Sequence, residues 1–248
     1  MTIELELKAL IENPVELQAK IENKYDMSCC TKVYSEQLNH YFSEDKKALN
    51  NLISTYYGIA IDNKVNNGTQ ELLLASKLAV RTRWDSTQGT LLIFKYSLID
   101  ENSINGTIRK ELEFPVDVDL TTLDNYLLDC GYSYQSKWSR KRTQYSFDSG
   151  WNLCLDNNAG YGFLLEVEYV ATEEEYATKK DYLMYKAKLF LDTLNLVELK
   201  ESLLTAMFNY YSSKYDEFYA TNKLIWDDPE FEYIRSGEKK PSLQQVAA

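Results

Sequence analysis

The chain has 248 residues, 44% of them hydrophobic and 20 of them tyrosine, which is enough for one large globular domain with a sizeable core. Its formal net charge is −11, so the molecule as a whole repels nucleic acid and acidic membrane surfaces. Any anionic ligand must then be met by local clusters of Lys and Arg.

One histidine and four cysteines narrow the chemistry further. His40 lies in the strand-like run QLNHYF and reads as structural, which removes a Ser/His/Asp triad. Cys29, Cys30, Cys130 and Cys154 contain no C-x-x-C pair and suit neither a zinc site nor a disulfide framework. They read as buried free thiols in a reducing compartment. No stretch approaches the roughly 18 apolar residues of a membrane span. The opening MTIELELKAL resembles neither a signal nor a transit peptide. The expectation is a cytoplasmic protein with no membrane or nucleic-acid partner.

In chain order, residues 2–10 alternate as a strand, with Ile3, Leu5 and Leu7 on one face and Glu4, Glu6 and Lys8 on the other. Asn13-Pro14-Val15-Glu16 reads as a helix start, with Asn13 as N-cap and Pro14 in the first turn. A strand follows over residues 36–42, then an ambiguous stretch, 44–58, with a helical pattern at Leu49, Leu52 and Ile53. Strands are predicted at 71–74, 78–84, 91–99 and 107–114, and a helix at 122–130 that ends at Gly131. Residues 132–147 read as a long or interrupted strand, followed by strands at 151–155 and 163–170, with 156–162 supplying a turn. Beyond Thr172 the spacing becomes helical, over 173–194 and 196–219. Residues 1–218 are expected to form a single domain, and 219–248 an extension with a mobile tail.

Charge placement on the strands is the unusual feature. Residues two apart in a strand face the same way. Glu4, Glu6 and Lys8 therefore share a face, as do Arg81 and Arg83; Arg109, Glu111 and Glu113; Arg140 and Arg142; and Glu166 and Glu168. Lys95 stands alone on its strand. Any one of these sets suits a solvated sheet face. Together they segregate arginines from glutamates, and like charges at that spacing repel unless a counter-charge or ligand lies opposite. If the strands close with these faces inward, the lumen holds carboxylates suited to Mg²⁺ or Mn²⁺ and basic groups suited to phosphate. A ligand that needs both is a metal-chelated polyphosphate.

The order of these motifs resembles the CYTH superfamily, the triphosphate tunnel metalloenzymes. Glu4-Leu5-Glu6-Leu7-Lys8 is similar to its E-x-E-x-K signature. Arg81-Thr82-Arg83, Lys95, Arg109 to Glu113, Arg140 to Arg142, Asp156 and Gly160 to Glu168 follow in the family's order. The resemblance implies an α+β fold: a closed antiparallel β-barrel, the triphosphate tunnel, flanked by helices and followed by a helical C-terminal part. It implies metal ligands at Glu4, Glu6, Glu166 and Glu168, with Asp156 as a further ligand and Glu111 and Glu113 as second-metal ligands or arginine holders. It places Lys8, Arg81, Arg83, Lys95, Arg109, Arg140 and Arg142 on the phosphates, and gives Glu4, Glu6, Lys8 and Asp156 the catalytic part. The activity implied is hydrolysis of tripolyphosphate or of an organic or nucleoside triphosphate, with Mg²⁺ or Mn²⁺ as cofactor. Alternatives are a class IV adenylate cyclase, which forms cyclic AMP and pyrophosphate from ATP, and a non-catalytic polyphosphate-binding module. A capping-type RNA triphosphatase fits poorly with the acidic surface. The apolar C-terminal helices either pack on the barrel or make a homodimer, so monomer and dimer both stand.

Overall fold

The computed structural model describes residues 2–43, 45–56, 72–97 and 108–236, with only the backbone for a few of these, Arg109 among them. Eight antiparallel strands close a barrel in the order β1-β5-β4-β3-β2-β6-β7-β8. They are β1 (Thr2–Leu10), β2 (Cys30–Phe42), β3 (Lys77–Asp85), β4 (Gly89–Ser97), β5 (Ile108–Val116), β6 (Tyr134–Phe147), β7 (Trp151–Asn158) and β8 (Gly162–Thr172). An eight-stranded barrel is wide enough inside for side chains or one small ligand.

Two apolar clusters cover the outside of the barrel and a third packs helices over one end of it. Leu5, Leu7 and Ala9 of β1 join Leu165 and Val167 of β8 beneath α1 (Pro14–Lys24) and α4 (Glu173–Leu194). A second cluster packs Val80, Leu92, Phe94 and Tyr96 beneath α2 (Lys46–Tyr56) and α3 (Leu120–Asp129). A third gathers Trp138, Tyr161 and Leu164 with α5 (Glu201–Ser213), α6 (Tyr215–Phe218) and α7 (Pro229–Ser236). Each fully buried leucine of this kind contributes about 1.5–3 kcal/mol. Because the strand residues of the first two clusters take the outward parity, the charged residues between them turn inward. That parity makes the lumen polar.

Local chemistry sets the helix ends. The Asn13 side chain accepts from the Glu16 amide at 3.2 Å, and Thr172 accepts from Glu175 at 3.1 Å. Three glutamates fill the first turn of α4, where the helix dipole favours them. At its other end Lys20 and Lys24 donate to the carbonyls of Leu194 and Thr193, at 2.6 and 2.9 Å.

Several sequence expectations are corrected. Residues 72–74 are a helical turn rather than strand: the three-residue spacing buries Leu72 and Ala75 against α2 and leaves Leu74 exposed. The expected helix over 196–219 is two helices, α5 and α6. Asn195 ends α4 in the left-handed conformation at φ 58°, and the Leu199 amide then bonds to Lys8 O at 2.8 Å, tying the connection to β1. Asp156 is not in a turn, because β7 continues to Asn158. Cys29 is exposed, whereas Cys130 and Cys154 are buried, and all four thiols are free. Strand β2 starts six residues earlier than expected, since β6 pairs with it from Cys30 onward. The tail beyond residue 236 lies outside the described residues.

Candidate active site in the barrel lumen

The lumen is a cavity of about 1190 Å³ whose lining includes Glu4, Glu6, Lys8, Arg81, Arg83, Lys95, Glu111, Glu113, Arg140, Arg142, Glu166 and Glu168. These are sequence-predicted residues from six strands, brought together by strand parity. The Cα of Arg109 pairs with that of Glu4 across β1 and β5; its side chain lies outside the described residues. Asp156 pairs with Arg142 and Leu164 on the lumen side of β7 and is fully buried against the arginines. It accepts from Arg142 Nε at 2.7 Å and Nη2 at 2.6 Å, and from Arg140 Nη1 at 3.0 Å. A two-pronged contact of this kind fixes the plane of a guanidinium.

Ion pairs organise one side of the lumen. Lys8 donates to Glu6 at 3.0 Å and to Glu166 at 2.7 Å, and Arg142 donates to Glu166 at 2.5 Å. Burial works against ionisation of Glu166, but Lys8 and Arg142 outweigh it and hold its carboxyl well below the usual range. Lys95 donates to Glu4 and stands 3.4 Å from Glu111, which also accepts from Arg81. Burial again opposes ionisation of Glu111, and Arg81 and Lys95 again prevail.

Two places are left unbalanced. Burial and the neighbouring Glu6 push Glu4 up to about 8, with Glu111 and Glu168 adding to the effect. Burial also raises Glu168, despite Arg142, with Glu166 and Glu6 acting in the same direction. At the opposite pole, burial and the adjacent Arg81 and Arg140 depress Arg83 to about 9. Its partners are Asn39 at 2.8 Å and the half-exposed Glu113 at 3.1 Å. One pole therefore holds more carboxylate than its cations neutralise, and the other more guanidinium than its anions do.

The donor chemistry fits a hard divalent cation at the first pole. Glu4, Glu6 and Glu168 offer oxygen ligands of the type Mg²⁺ and Mn²⁺ take, and a cation would relieve the crowding that raises Glu4 and Glu168. Among the described residues no three His, Cys, Asp or Glu side chains stand grouped so that they could hold a metal ion as they are. The carboxylates instead lean on Lys8 and Lys95.

Sequence reasoning missed the uncharged lumen face of β2, made by Ser35, Gln37, Asn39 and Tyr41. Gln37 accepts from Arg140 at 2.6 Å, Asn39 from Arg83, and the Tyr41 hydroxyl from Arg81 at 3.1 Å. Their two-residue spacing was the available signal, but uncharged polar residues at that spacing suit any solvated strand. His40, on the outward face, bridges Asp124 at 2.6 Å and the Tyr219 hydroxyl at 2.8 Å, away from the lumen.

No family model matches the chain, and no curated protein does. Solved structures do resemble it. A conserved hypothetical protein from Pyrococcus furiosus is 19% identical with a TM-score of 0.53, over 78% of this chain and 91% of that one. A Vibrio parahaemolyticus protein provisionally named an adenylate cyclase is 13% identical with a TM-score of 0.52, over 78% and 89%. A Hippeastrum protein, provisionally named an adenylyl cyclase and described as having a dominant triphosphatase activity, is 16% identical over 97% and 98%; at a TM-score of 0.46 it supports no argument. At these identities the likeness is one of fold, and the fold is the one the strand motifs imply. Among the described residues no helix is long and apolar enough to cross a membrane.

Proposed function

We propose that this chain, which has the CYTH fold, is a divalent-metal-dependent enzyme that hydrolyses a triphosphate in its lumen. The observation carrying this reading is that one cavity is lined both by a carboxylate set, Glu4, Glu6 and Glu168, and by a guanidinium set, Arg81, Arg83 and Arg140. A metal-chelated triphosphate answers both sets at once.

Glu4, Glu6 and Glu168 would hold Mg²⁺ or Mn²⁺, which when bound neutralises charge on phosphate oxygens as a Lewis acid. Arg81, Arg83, Arg140 and Arg142, with Lys8, Lys95 and Arg109, bind the non-bridging phosphate oxygens. Asp156 fixes the Arg142 fork, and Glu111 and Glu113 orient Arg81 and Arg83. Phosphoryl transfer asks mainly for such positioning and for charge stabilisation. Water adds to the terminal phosphorus, the bond from that phosphorus to the bridging oxygen breaks, and a diphosphate and orthophosphate leave. In a closed lumen the low dielectric strengthens every one of these contacts.

The test is product analysis with ATP and with inorganic tripolyphosphate, each with Mg²⁺ or Mn²⁺. Orthophosphate release that disappears in EDTA and falls at least about 100-fold in Glu6→Ala is the expected result. Cyclic AMP as the main product would replace the hydrolase with a cyclase. Binding of both compounds without turnover would leave a binding module.

A further inference from the structure

A second cavity lies on the outer face of the barrel, between α4 and the β7–β8 ladder, and holds about 340 Å³. It shares no lining residue with the lumen. Trp151 and Tyr169 are facing partners on that ladder, with ring centroids 4.9 Å apart, and Phe190 of α4 closes on Trp151 at 5.2 Å. These three rings make an aromatic floor. The turn before β7 reaches it because Gly150, at φ +86°, has no Cβ; one there would stand 3.1 Å from the Tyr169 ring.

Above the floor α4 presents Glu175, Lys179, Tyr182, Lys186 and Phe190 at i, i+4, i+7, i+11 and i+15, one stripe along the helix. Glu175 is already answered: it accepts from the Tyr169 hydroxyl at 3.0 Å and from Lys179 at 3.2 Å. Lys186 has no such answer. It is half-buried, and among the described residues it meets no hydrogen-bond or ion-pair partner. Tyr182, 57% exposed, stands one turn away at the rim. Two lysines against one glutamate leave this groove positive, on a chain whose net charge is −11. A half-buried ammonium beside aromatic rings calls for an anion that brings apolar surface with it.

We infer that this groove is a second binding site, for a small planar organic anion: an aromatic ring lies against Phe190 and Tyr182 over Trp151, with its carboxylate, sulfonate or phosphate group on Lys186. A volume of about 340 Å³ suits a small fused ring system. The ring gains burial and stacking, and the anion gains a charge-assisted hydrogen bond. An inorganic anion would leave the floor uncovered, and a neutral ring would leave Lys186 unpaired. The site is independent of the triphosphate reading of the lumen.

The test is calorimetric titration of the full chain with naphthalene sulfonate, with inorganic sulfate as the anion alone and naphthol as the ring alone. Saturable binding of the sulfonate is expected, with sulfate and naphthol each at least about tenfold weaker. Lys186→Gln is expected to weaken the sulfonate about fivefold or more, while Lys186→Arg keeps the charge and stays within about twofold. Tyr182→Ala should weaken it about threefold or more. Melting temperatures confirm that each variant is folded. Excess inorganic tripolyphosphate with Mg²⁺ should not displace the sulfonate, because the two cavities are separate. No saturable binding, unchanged binding in Lys186→Gln, or displacement by tripolyphosphate would overturn the inference. So would tighter binding of the peptide acetyl-Glu-Trp-Glu at the same lysine, which would make the groove a docking site for a protein.

Discussion

Glu6 and Glu168 stand directly opposite each other across the β1–β8 ladder, both facing the lumen, two residues along from the next lumen-facing pair, the complementary Lys8 and Glu166. Like charges at facing positions are destabilising, and here both are largely withdrawn from water. One lumen-facing pair is self-sufficient and the other calls for a cation.

That relationship predicts the response of Glu168→Gln. In EDTA the variant should be more stable than the wild type by about 1 kcal/mol, or roughly 2–4 °C in melting temperature. With Mg²⁺ or Mn²⁺ the order should reverse, because ligand binding to the folded state stabilises the wild type and the variant loses much of that gain. Differential scanning fluorimetry in EDTA and in each metal reads both signs. A Glu168→Gln chain with an unchanged metal response would place the cation elsewhere.

Arg83 should be the most sensitive phosphate anchor. It carries positive charge crowded by Arg81 and Arg140, and its carboxylate partner Glu113 is half-exposed. Arg83→Ala should weaken tripolyphosphate about 10–100-fold, the size of one or two charge-assisted hydrogen bonds. It should also raise the stability of the ligand-free protein, since it removes a repelling cation. Lys141, exposed and paired with Glu36 on the outer face, serves as the control: Lys141→Ala should change binding less than about twofold. Calorimetric titration separates the two.

Much of this site was legible because strand parity is a two-residue rule, and the apolar partners Leu5, Leu7, Leu165 and Val167 left no doubt which face was outward. Helix α1 was legible through its Asn13 cap, and α4 through its helical spacing of apolar residues. What could not be read was set by partners distant in sequence. The first half of β2 is polar on both faces and is a strand only because β6 pairs along it. Asp156 was placed in a turn, since nothing local shows that Arg142 fills its oxygens. The unbalanced charge at Arg83 depends on Arg81, Arg140 and Glu113 arriving from three strands.

The outer face offers a pH prediction that is independent of the lumen. Asp124 is buried, which alone would raise its carboxyl, but hydrogen bonds from His40, Thr82 and Tyr134 bring it below the ordinary value. A depressed folded value means the stabilisation is fully present above the unfolded pKa of about 3.9 and is lost as pH falls through the folded value. Asp124→Asn should therefore cost about 1–3 kcal/mol at pH 7, by leaving buried donors poorly matched. Below about pH 3.5 the gap between variant and wild type should narrow. Urea unfolding at the two pH values measures it; a gap that widened in acid would contradict the assigned hydrogen bonds.

Gly160 tests whether the C-terminal helices hold the end of the barrel. Its φ of +76° is a conformation side chains rarely adopt, and a Cβ there would stand 2.3 Å from Cδ2 of the Tyr211 ring. That ring cannot retreat easily, being stacked on Trp138 with its hydroxyl bonded to Lys137 O. The Gly160 carbonyl also accepts from the Ile225 amide at 2.8 Å, and its amide donates to Lys223 O at 3.2 Å, so the backbone is held on both sides. Gly160→Ala combines left-handed strain of about 1–2 kcal/mol with overpacking of about 1–3 kcal/mol. A loss of about 2–5 kcal/mol in urea unfolding is expected, together with faster proteolysis of the chain after Ser213. Were Tyr211→Leu to recover much of that stability in the Gly160→Ala background, the ring contact would be its main source; full stability in Gly160→Ala alone would mean that α5 does not press on the barrel at this point.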